Sequence, residues 1–326
     1  MLLNRLAHPT IFKRVSLRSA IRMVSTLVGQ SGRVYVQGEL IQRHREDEKL
    51  NIYKAEYSFV YKRVPRPFFN LSQRLAAEFA GSRIHTILSY FDGTLLRLIQ
   101  EDPNLSSPER RKIMRHVGEA IQELHHKDWI HIDVKPDNVL LNWTIDKEGT
   151  RTITDTVLGD FDIAFKSEGG KPRNAPFAIG NAKWRSPEGQ TGKGVTKASD
   201  IFSYGLVCIY CIGGRGLLII DNWQDLVDNG VTPEQEIQIG DEEWCAPLRE
   251  SWAVAERAIQ ENPERRFTHW GKDIGVSGVA MLSGMTNLDP KARSTINQVL
   301  ASPWWQEQCY SLSRTPSFVL VYVRQS

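Results

Sequence analysis

Hydrophobic positions near the start of the chain follow the two-residue period of β-strands. Three segments, residues 33–42, 51–56 and 57–64, are rich in Val, Tyr and Phe, and the charged run 44–49 forms a turn between the first two. Alternation of this kind is typical of strands that bury one face. The pattern predicts a small β-rich part at the beginning of the protein.

Farther along, the period changes to that of helices. We predict a helix at about Leu71–Ser82 and a stronger one at Ser107–His126, whose Ser-Pro start suits an N-cap followed by the first helical position. The second helix has one apolar face, formed by Ile113, Val117, Ile121 and Leu124. Arg151–Leu158 alternates as a hairpin arm, and the chain beyond about residue 190 is mostly helical. The fold class is therefore α+β, and a cleft between two such lobes is a natural ligand site.

Composition and charge narrow the classes of function. The 326 residues include 41 basic and 38 acidic side chains, and the first acidic one is Glu39. Residues 39–326 carry 35 basic and 38 acidic side chains, which is a net charge of −3. This part of the chain therefore lacks the basic surface that binding of nucleic-acid phosphates requires, and we expect no nucleic-acid partner.

The basic N-terminal arm, residues 1–32, contains no acidic residue. Residues 1–28 can form an amphipathic helix, in which Arg14, Arg18 and Arg22 make one row and Val28 ends an apolar row. Two interpretations stay open, a mitochondrial transit peptide or a basic arm without a targeting role. We expect an intracellular protein, mitochondrial in the first case and cytoplasmic in the second.

Four cysteines are too few for a disulfide framework in a chain of this length. Cys208 and Cys211 lie in the apolar run 201–220, and we interpret them as reduced thiols of the core. Glycines from Gly213 onward interrupt that run after roughly a dozen residues, whereas a membrane span needs about 20. We therefore predict a buried helix and no membrane span.

A short polar loop between apolar segments carries the candidate chemistry. The run His131–Asn138 brings Asp133, Lys135 and Asn138 together, and Asp160 follows in the sequence Leu-Gly-Asp-Phe-Asp. Asn138 and Asp160 offer the oxygen ligands that Mg²⁺ prefers. Asp133 can orient a hydroxyl and accept its proton, and Lys135 can neutralise charge on a transferring phosphoryl group.

A second motif lies upstream. Lys62 ends a predicted strand, and Glu78 follows 16 residues later inside a predicted helix. A lysine held by such a glutamate can bind phosphates as a point charge. Each motif is weak by itself, since a Lys–Glu pair is usually a surface ion pair of little consequence. Their order and spacing together are hard to obtain by accident.

With these motifs in this order, the sequence resembles the eukaryotic protein kinase family over about residues 33–306. The resemblance implies a bilobal fold with an N-lobe at 33–91, a C-lobe at 92–306 and a tail at 307–326. It implies that Mg²⁺ and ATP bind between the lobes. By the resemblance, the site residues are the catalytic base Asp133, the loop lysine Lys135, the metal ligands Asn138 and Asp160, the nucleotide lysine Lys62 and its partner Glu78.

Three later segments strengthen the resemblance. Trp184–Glu188 resembles the end of the activation segment, and Ala198–Gly205 resembles the start of the helix whose Asp200 braces the catalytic loop. Leu288–Arg293 resembles the late arginine motif that pairs with the glutamate of the first segment. Small-molecule phosphotransferases share the loop but lack these three features, which leaves them as a weaker alternative.

The sequence also departs from the family's pattern. The turn 44–49 has no glycine and carries three acidic residues, and Asp162 replaces the glycine of the Asp-Phe-Gly motif. An aspartate tolerates the left-handed backbone that such a glycine supplies. The separation of Glu78 and Asp133, 55 residues, is shorter than is usual in the family.

A further departure concerns regulation. Ile132 replaces the usual arginine before the catalytic aspartate, and Asn181 stands where a threonine is usual. In the family that arginine binds a phosphorylated activation loop through charge-assisted hydrogen bonds. Ile132 cannot do so, and we predict an activity independent of such phosphorylation.

Two functions stay open. The first is a serine/threonine protein kinase, for which Lys135-Pro136 is the typical pattern and which acts on a serine or threonine of a protein substrate. The alternative is a pseudokinase that acts as a binding or scaffold module, which the acidic turn and Asp162 favour. An insertion at 213–275, rich in Trp and acidic residues, is either an elaborated surface or a docking region for a partner.

Overall fold

The structure is a computed structural model that describes residues 26–28, 34–43, 47–48, 51–55, 59–62, 66–79, 91–213, 271–287 and 289–307. The chain divides into two compact units, Met1–Lys62 and Arg63–Ser326. The first unit contains strands and the second is mostly helical, so the predicted α+β class is confirmed. Residues 214–270 of the insertion, the tail beyond Glu307 and part of the acidic turn 44–49 lie outside the described residues.

Where the structure describes the first unit, it forms an antiparallel sheet of four strands in sequence order. The strands are β1 (Thr26–Val28), β2 (Val34–Gln42), β3 (Ile52–Ala55) and β4 (Phe59–Lys62). Three of them match the predicted strands. The fourth, β1, falls inside the range that we assigned to the basic arm. Val28 therefore does not end a helical row, because β1 forms a ladder with β2 in which Val28 faces Val34.

The second unit combines seven helices with short strands in the part that the structure describes. The helices are α1 (Arg66–Glu78), α2 (Leu95–Glu101), α3 (Ser107–His126), α4 (Pro187–Thr191), α5 (Lys197–Gly213), α6 (Gly271–Met285) and α7 (Ile296–Leu300). The strands are β5 (Gly93–Thr94), β6 (Trp129–Ile130), β7 (Val139–Ile145), β8 (Arg151–Leu158) and β9 (Phe165–Lys166). They form two antiparallel sheets, β5-β7-β8 and β6-β9.

Helix α3 differs from the sequence prediction in its N-cap residue, and α1 differs in its first residue. The bounds of α3 agree with the prediction, but its N-cap is Ser106 and not Ser107, so the proline stands one position deeper in the first turn. Helix α1 begins at Arg66, five residues before the predicted start, because Pro67 is well tolerated in a first helical turn. Helix α1 also belongs to the second unit, where Leu75 and Phe79 are buried in its core.

The core of the second unit is built around α5, which packs against α3 and α6. Helix α5 is buried from Ser199 to Gly213, and a helix that is apolar on all sides suits such a position. Cys208 and Cys211 are free and buried in it, as we expected. None of the described helices is long and apolar enough to cross a membrane.

Candidate active site

The loop between β6 and β7 holds the predicted catalytic residues in place through Asp200. This fully buried carboxylate accepts a hydrogen bond from the backbone N–H of His131 and another from that of Ile132, both at 2.8 Å. Ile132 has a left-handed backbone with φ of 68°. That conformation is strained for a β-branched residue and costs about 1–3 kcal/mol. The two charge-assisted hydrogen bonds offset the strain, so Asp200 braces the loop as the sequence predicted.

Asp200 has a third partner that the sequence analysis missed. The Nε2 atom of His125, near the end of α3, lies 3.0 Å from the Oδ2 atom of Asp200. A histidine in the last turn of a long helix is an ordinary feature, and the two residues stand 75 positions apart. No local pattern in the sequence connects them.

His131 joins the catalytic loop to the segment that carries Asp160. Its Nδ1 atom accepts a hydrogen bond from the backbone N–H of Asp133 at 3.2 Å. The proton of the neutral ring is therefore on Nε2, which donates to the carbonyl oxygen of Gly159 at 3.0 Å. The ring also packs against Phe161, with 4.7 Å between the ring centroids. One imidazole thus fixes the position of both segments.

The two carboxylate oxygens of Asp133 are in different surroundings. Oδ2 accepts hydrogen bonds from Nζ of Lys135 at 2.6 Å and from Nδ2 of Asn138 at 3.1 Å. Within the described part of the chain, Oδ1 receives no hydrogen bond. The side chain is 13% exposed, so a hydroxyl group from outside can reach the carboxylate. A carboxylate with one oxygen fixed and one available can orient that hydroxyl and accept its proton.

Asn138 and Asp160 are brought near each other by the ladder of β7 and β8. In that ladder Val139 faces Leu158, and the backbone N–H of Gly159 donates to the carbonyl oxygen of Asn138 at 2.9 Å. Asp160 is the next residue, and it is exposed. The sequence placed these two residues 22 positions apart, and the hairpin closes that distance.

The chemistry of these two side chains fits a hard cation. The Nδ2 group of Asn138 is used by Asp133, and its side-chain oxygen accepts no hydrogen bond from the residues described. This amide oxygen and the carboxylate of Asp160 are donors of the kind that Mg²⁺ prefers. Within the described ranges, no group of three His, Cys, Asp or Glu side chains could hold a metal. Phosphate oxygens and water would complete the coordination of a magnesium ion here.

The left-handed residue of this segment is Asp160, with φ of 61°, and not Asp162. We expected Asp162 to tolerate the conformation that a glycine would supply. Among the described residues with positive φ, Asp162 is absent. The replacement of the glycine therefore does not strain the backbone at this position.

Glu78, at the end of α1, is bound by residues of the second unit. Its Oε2 atom accepts hydrogen bonds from Nε1 of Trp129 at 2.7 Å and from Nζ of Lys166 at 2.9 Å. These two hydrogen bonds, with a weaker one from Arg74, lower the pKa of Glu78 from 4.5 to about 2. Lys62 ends β4, and its side chain lies outside the described residues. The predicted pair of Lys62 and Glu78 stays a prediction.

Glu188 and Arg293 form the buried pair that the sequence predicted. The guanidinium group of Arg293 donates to both oxygens of Glu188, at 2.6 and 3.2 Å, and Ser199 adds a hydrogen bond at 2.8 Å. Burial works against ionisation of Glu188, but the hydrogen bonds and charge of Arg293 prevail and lower its pKa. The pair fixes the start of α4 to the start of α5.

Ile132 lies in a small apolar cluster beside the catalytic loop. Its buried partners are Ile130, Ile179 and Val195, and Phe165 and Ala175 pack against them. The segment that follows Asp160 is thus held to the loop by apolar contacts. An arginine at this position would place a charge in that cluster.

Comparison with known proteins agrees with this geometry. Residues 30–305 match the family model of the protein kinase domain. The chain is 24% identical to "Serine/threonine-protein kinases PknA" of Corynebacterium glutamicum over 270 residues, which are 81% of this chain and 52% of that protein. It is 27% identical to "Mitosis inhibitor protein kinase wee1" of Schizosaccharomyces pombe over 235 residues, 71% of this chain and 24% of that protein.

A third relative is "L-type lectin-domain containing receptor kinase S.1" of Arabidopsis thaliana, 30% identical over 142 residues, which are 42% of this chain and 20% of that protein. The chain therefore spans about half or less of the length of these curated relatives. The family model covers most of the chain, and with it the catalytic loop, the Asp160 segment and the Glu188–Arg293 pair. The chain belongs to the protein kinase family.

Proposed function

We propose that this protein is an active kinase that transfers the γ-phosphoryl group of ATP to a serine or threonine hydroxyl of a protein substrate. The observation that carries the proposal is the carboxylate of Asp133, with Oδ2 held by Lys135 and Asn138 and Oδ1 available to a hydroxyl group. Catalysis of phosphoryl transfer consists mostly of positioning the reactants and stabilising charge, and side chains arranged in this way can do both.

In the proposed reaction, Asp133 accepts a hydrogen bond from the substrate hydroxyl at Oδ1. The hydroxyl oxygen forms a bond to the γ-phosphorus, while the bond from that phosphorus to the bridging oxygen breaks and ADP leaves with the electron pair. The proton of the hydroxyl passes to Asp133. Lys135, whose ammonium group lies 2.6 Å from Asp133, neutralises charge on the transferring group.

Asn138 and Asp160 would hold Mg²⁺, which when bound neutralises charge on the phosphates. Lys62 would bind the phosphates as a point charge, with Glu78 as its partner. The preference for serine and threonine is supported by Lys135-Pro136 in the loop and by the names of relatives such as PknA.

A second candidate is a pseudokinase that recognises a partner through the same fold. The contacts of Glu78 favour it, because Trp129 and Lys166 already bind the carboxylate that the first candidate assigns to Lys62. The acidic residues of the turn 44–49 add negative charge where a glycine-rich loop would offer backbone N–H groups to phosphates.

Binding of ATP separates the two candidates. We expect ATP with Mg²⁺ to raise the melting temperature, because a ligand at about 100 times its Kd stabilises the folded state by about 2.7 kcal/mol. The shift should be lost in Lys62→Met and in Asp160→Asn. The control is Asp155→Asn, an exposed aspartate of β8. No shift with millimolar ATP would favour the pseudokinase.

Transfer itself is tested by Asp133→Asn. The amide keeps the shape of the side chain but cannot accept the proton, so we expect kcat to fall by about 10²-fold or more. ATP should still raise the melting temperature of this variant. Unchanged kcat in Asp133→Asn would contradict the assigned base.

A further inference from the structure

The segment 163–197, which follows Asp160, has an unusual charge. It contains seven Lys and Arg residues and two Glu residues, a net charge of +5, in a chain whose total is +3. One of the two glutamates, Glu188, is buried and paired with Arg293. The exposed charge of this segment is therefore almost entirely positive, while the rest of the chain is slightly acidic.

This segment lies against the catalytic loop. Gly180 approaches the loop so closely that an added Cβ atom would stand 2.8 Å from the carbonyl oxygen of Ile132, the residue before Asp133. The side chain of Arg185 covers the same glycine and donates to Gln190 at 2.7 Å. The segment thus meets the loop that carries Asp133, and Lys183 follows Gly180 by three residues.

Several of the basic side chains in the segment are exposed and lie outside the ion pairs of the described residues. Lys171, Lys183 and Lys193 are exposed and form no ion pair with any residue that the structure describes. In contrast, Lys166 is paired with Glu78 and Lys197 with Asp128. Three lysines of the segment are therefore available to an external anion.

An exposed aromatic side chain belongs to the same segment and lies near one of these lysines. Phe177 is 55% exposed. Its carbonyl oxygen lies so close to Gly192, the residue before Lys193, that a Cβ atom added at Gly192 would clash with it. We use the name basic face for the exposed and partly exposed side chains of the segment that the inference uses, Lys171, Phe177, Lys183, Arg185 and Lys193. Two exposed acidic residues, Glu168 and Asp137 of the loop, lie on the same segments and reduce its charge without cancelling it.

We infer that the basic face selects protein substrates with acidic residues around the acceptor serine or threonine. This rests on the proposed function and names its substrate class. Carboxylates of such a substrate would lie on the lysines while its hydroxyl reaches Asp133, and Phe177 would contact an apolar side chain between them. An extended polyanion such as nucleic acid would also meet the acidic remainder of the chain, which favours a short peptide.

The test compares two peptides with the same acceptor serine. One carries Asp and Glu around the serine, and the other carries Asn and Gln at the same positions. We expect kcat/KM to be higher for the acidic peptide than for the neutral one. The ratio of these two kcat/KM values should fall about three-fold in Lys183→Ala and about ten-fold in the double variant Lys183→Ala/Lys193→Ala. Raising the ionic strength from about 0.01 to about 1 M should also reduce the ratio, because the Debye length shortens from about 30 to about 3 Å.

The matched control is Lys147→Ala. Lys147 is exposed in the turn that joins β7 to β8, at the far end of a seven-residue strand from Asn138, which is about 20 Å away. This variant should keep the ratio of the wild type. Equal kcat/KM for the two peptides in the wild type would overturn the inference and leave the proposed transfer intact.

Binding separates the inference from the proposed function. A labelled acidic peptide with alanine in place of serine is titrated into the full chain, and anisotropy is measured. Binding that is lost in the Lys183→Ala/Lys193→Ala variant supports the basic face even if no peptide is phosphorylated. Tighter binding of a duplex DNA of equal charge than of the peptide, lost in the same variant, would overturn the inference.

Discussion

Ile132 and Asp200 show how single residues shape the candidate site. Asp200 binds two consecutive backbone N–H groups and so holds Ile132 in a conformation that its side chain disfavours. The side chain of Ile132 then enters the apolar cluster with Ile179 and Val195. The site therefore depends on a buried charge on one side of the loop and on apolar packing on the other.

At this scale we predict that Ile132→Arg lowers the free energy of unfolding by about 2–4 kcal/mol, because it buries an unpaired charge. Denaturant unfolding measures the change. The control is Ile132→Val, which removes one methylene group and should cost about 0.5–1.5 kcal/mol. Equal stability of the Arg variant and the wild type would contradict the packing described for Ile132.

The residues of the loop could be predicted from the sequence, since Asp133, Lys135 and Asn138 lie within six positions. Their hydrogen bonds are local and follow from a short turn. The partners of Asp200 and Glu78 could not be predicted in the same way. His125 stands 75 positions from Asp200, and Lys166 stands 88 positions from Glu78. Contacts at such separations depend on how the elements pack.

Among the elements, α1 shows best what packing adds to the sequence. It falls in the range 33–91 that we predicted as the N-lobe, and Leu75 in the helix and Phe79 after it are buried in the core of the second unit. Its last residue, Glu78, connects it to β6 through Trp129 and to β9 through Lys166. These contacts make the attachment of α1 dependent on the charge of Glu78.

The pKa of Glu78 gives this attachment a pH dependence. The folded state lowers that pKa from 4.5 to about 2, so the ionised carboxylate stabilises the fold above about pH 4.5. The contribution is lost as the pH falls toward 2. We predict that Glu78→Gln lowers the free energy of unfolding by about 1–2 kcal/mol at pH 7. The difference from the wild type should shrink between about pH 5 and about pH 2.

Unfolding by urea at a series of pH values measures this difference. The control is Glu101→Gln, which removes an exposed carboxylate paired with Arg97 at the end of α2 and should cost less at pH 7. A constant difference between Glu78→Gln and the wild type from pH 7 to pH 2 would show that the charge of Glu78 does not hold α1.

For the molecule as a whole, the Glu188–Arg293 pair connects parts of the second unit that are far apart in the chain. Arg293 precedes α7, and it binds Glu188 at the start of α4 and the carbonyl oxygen of Ala198 in α5. Its side chain is fully buried. The segment that carries the basic face is thus fixed to the core at Glu188.

We predict that Arg293→Ala lowers the free energy of unfolding by about 3–5 kcal/mol, because it leaves the carboxylate of Glu188 buried and unpaired. Arg293→Lys should be intermediate, since an ammonium group cannot bind both carboxylate oxygens in the planar geometry of a guanidinium group. Denaturant unfolding measures both.

The comparison variant is Arg97→Ala, which removes an exposed pair with Glu101 and should cost less than about 1 kcal/mol. If Arg293→Ala were no more destabilising than Arg97→Ala, the buried pair would not hold the segment to the core. If Arg293→Lys matched the wild type, the bidentate geometry would be unimportant.

The sequence by itself determined the α+β class, the bounds of α3 and β8, the buried helix α5 and the motifs of the kinase family. These features depend on periodicity and on residues a few positions apart, where the covalent chain sets the geometry. Only the tertiary structure decided that α1 joins the second unit, that Ile132 packs into an apolar cluster, and that the basic segment meets the catalytic loop at Gly180. Each of these depends on contacts between distant segments, whose energies come from burial and charge in the folded state and leave no local pattern in the chain.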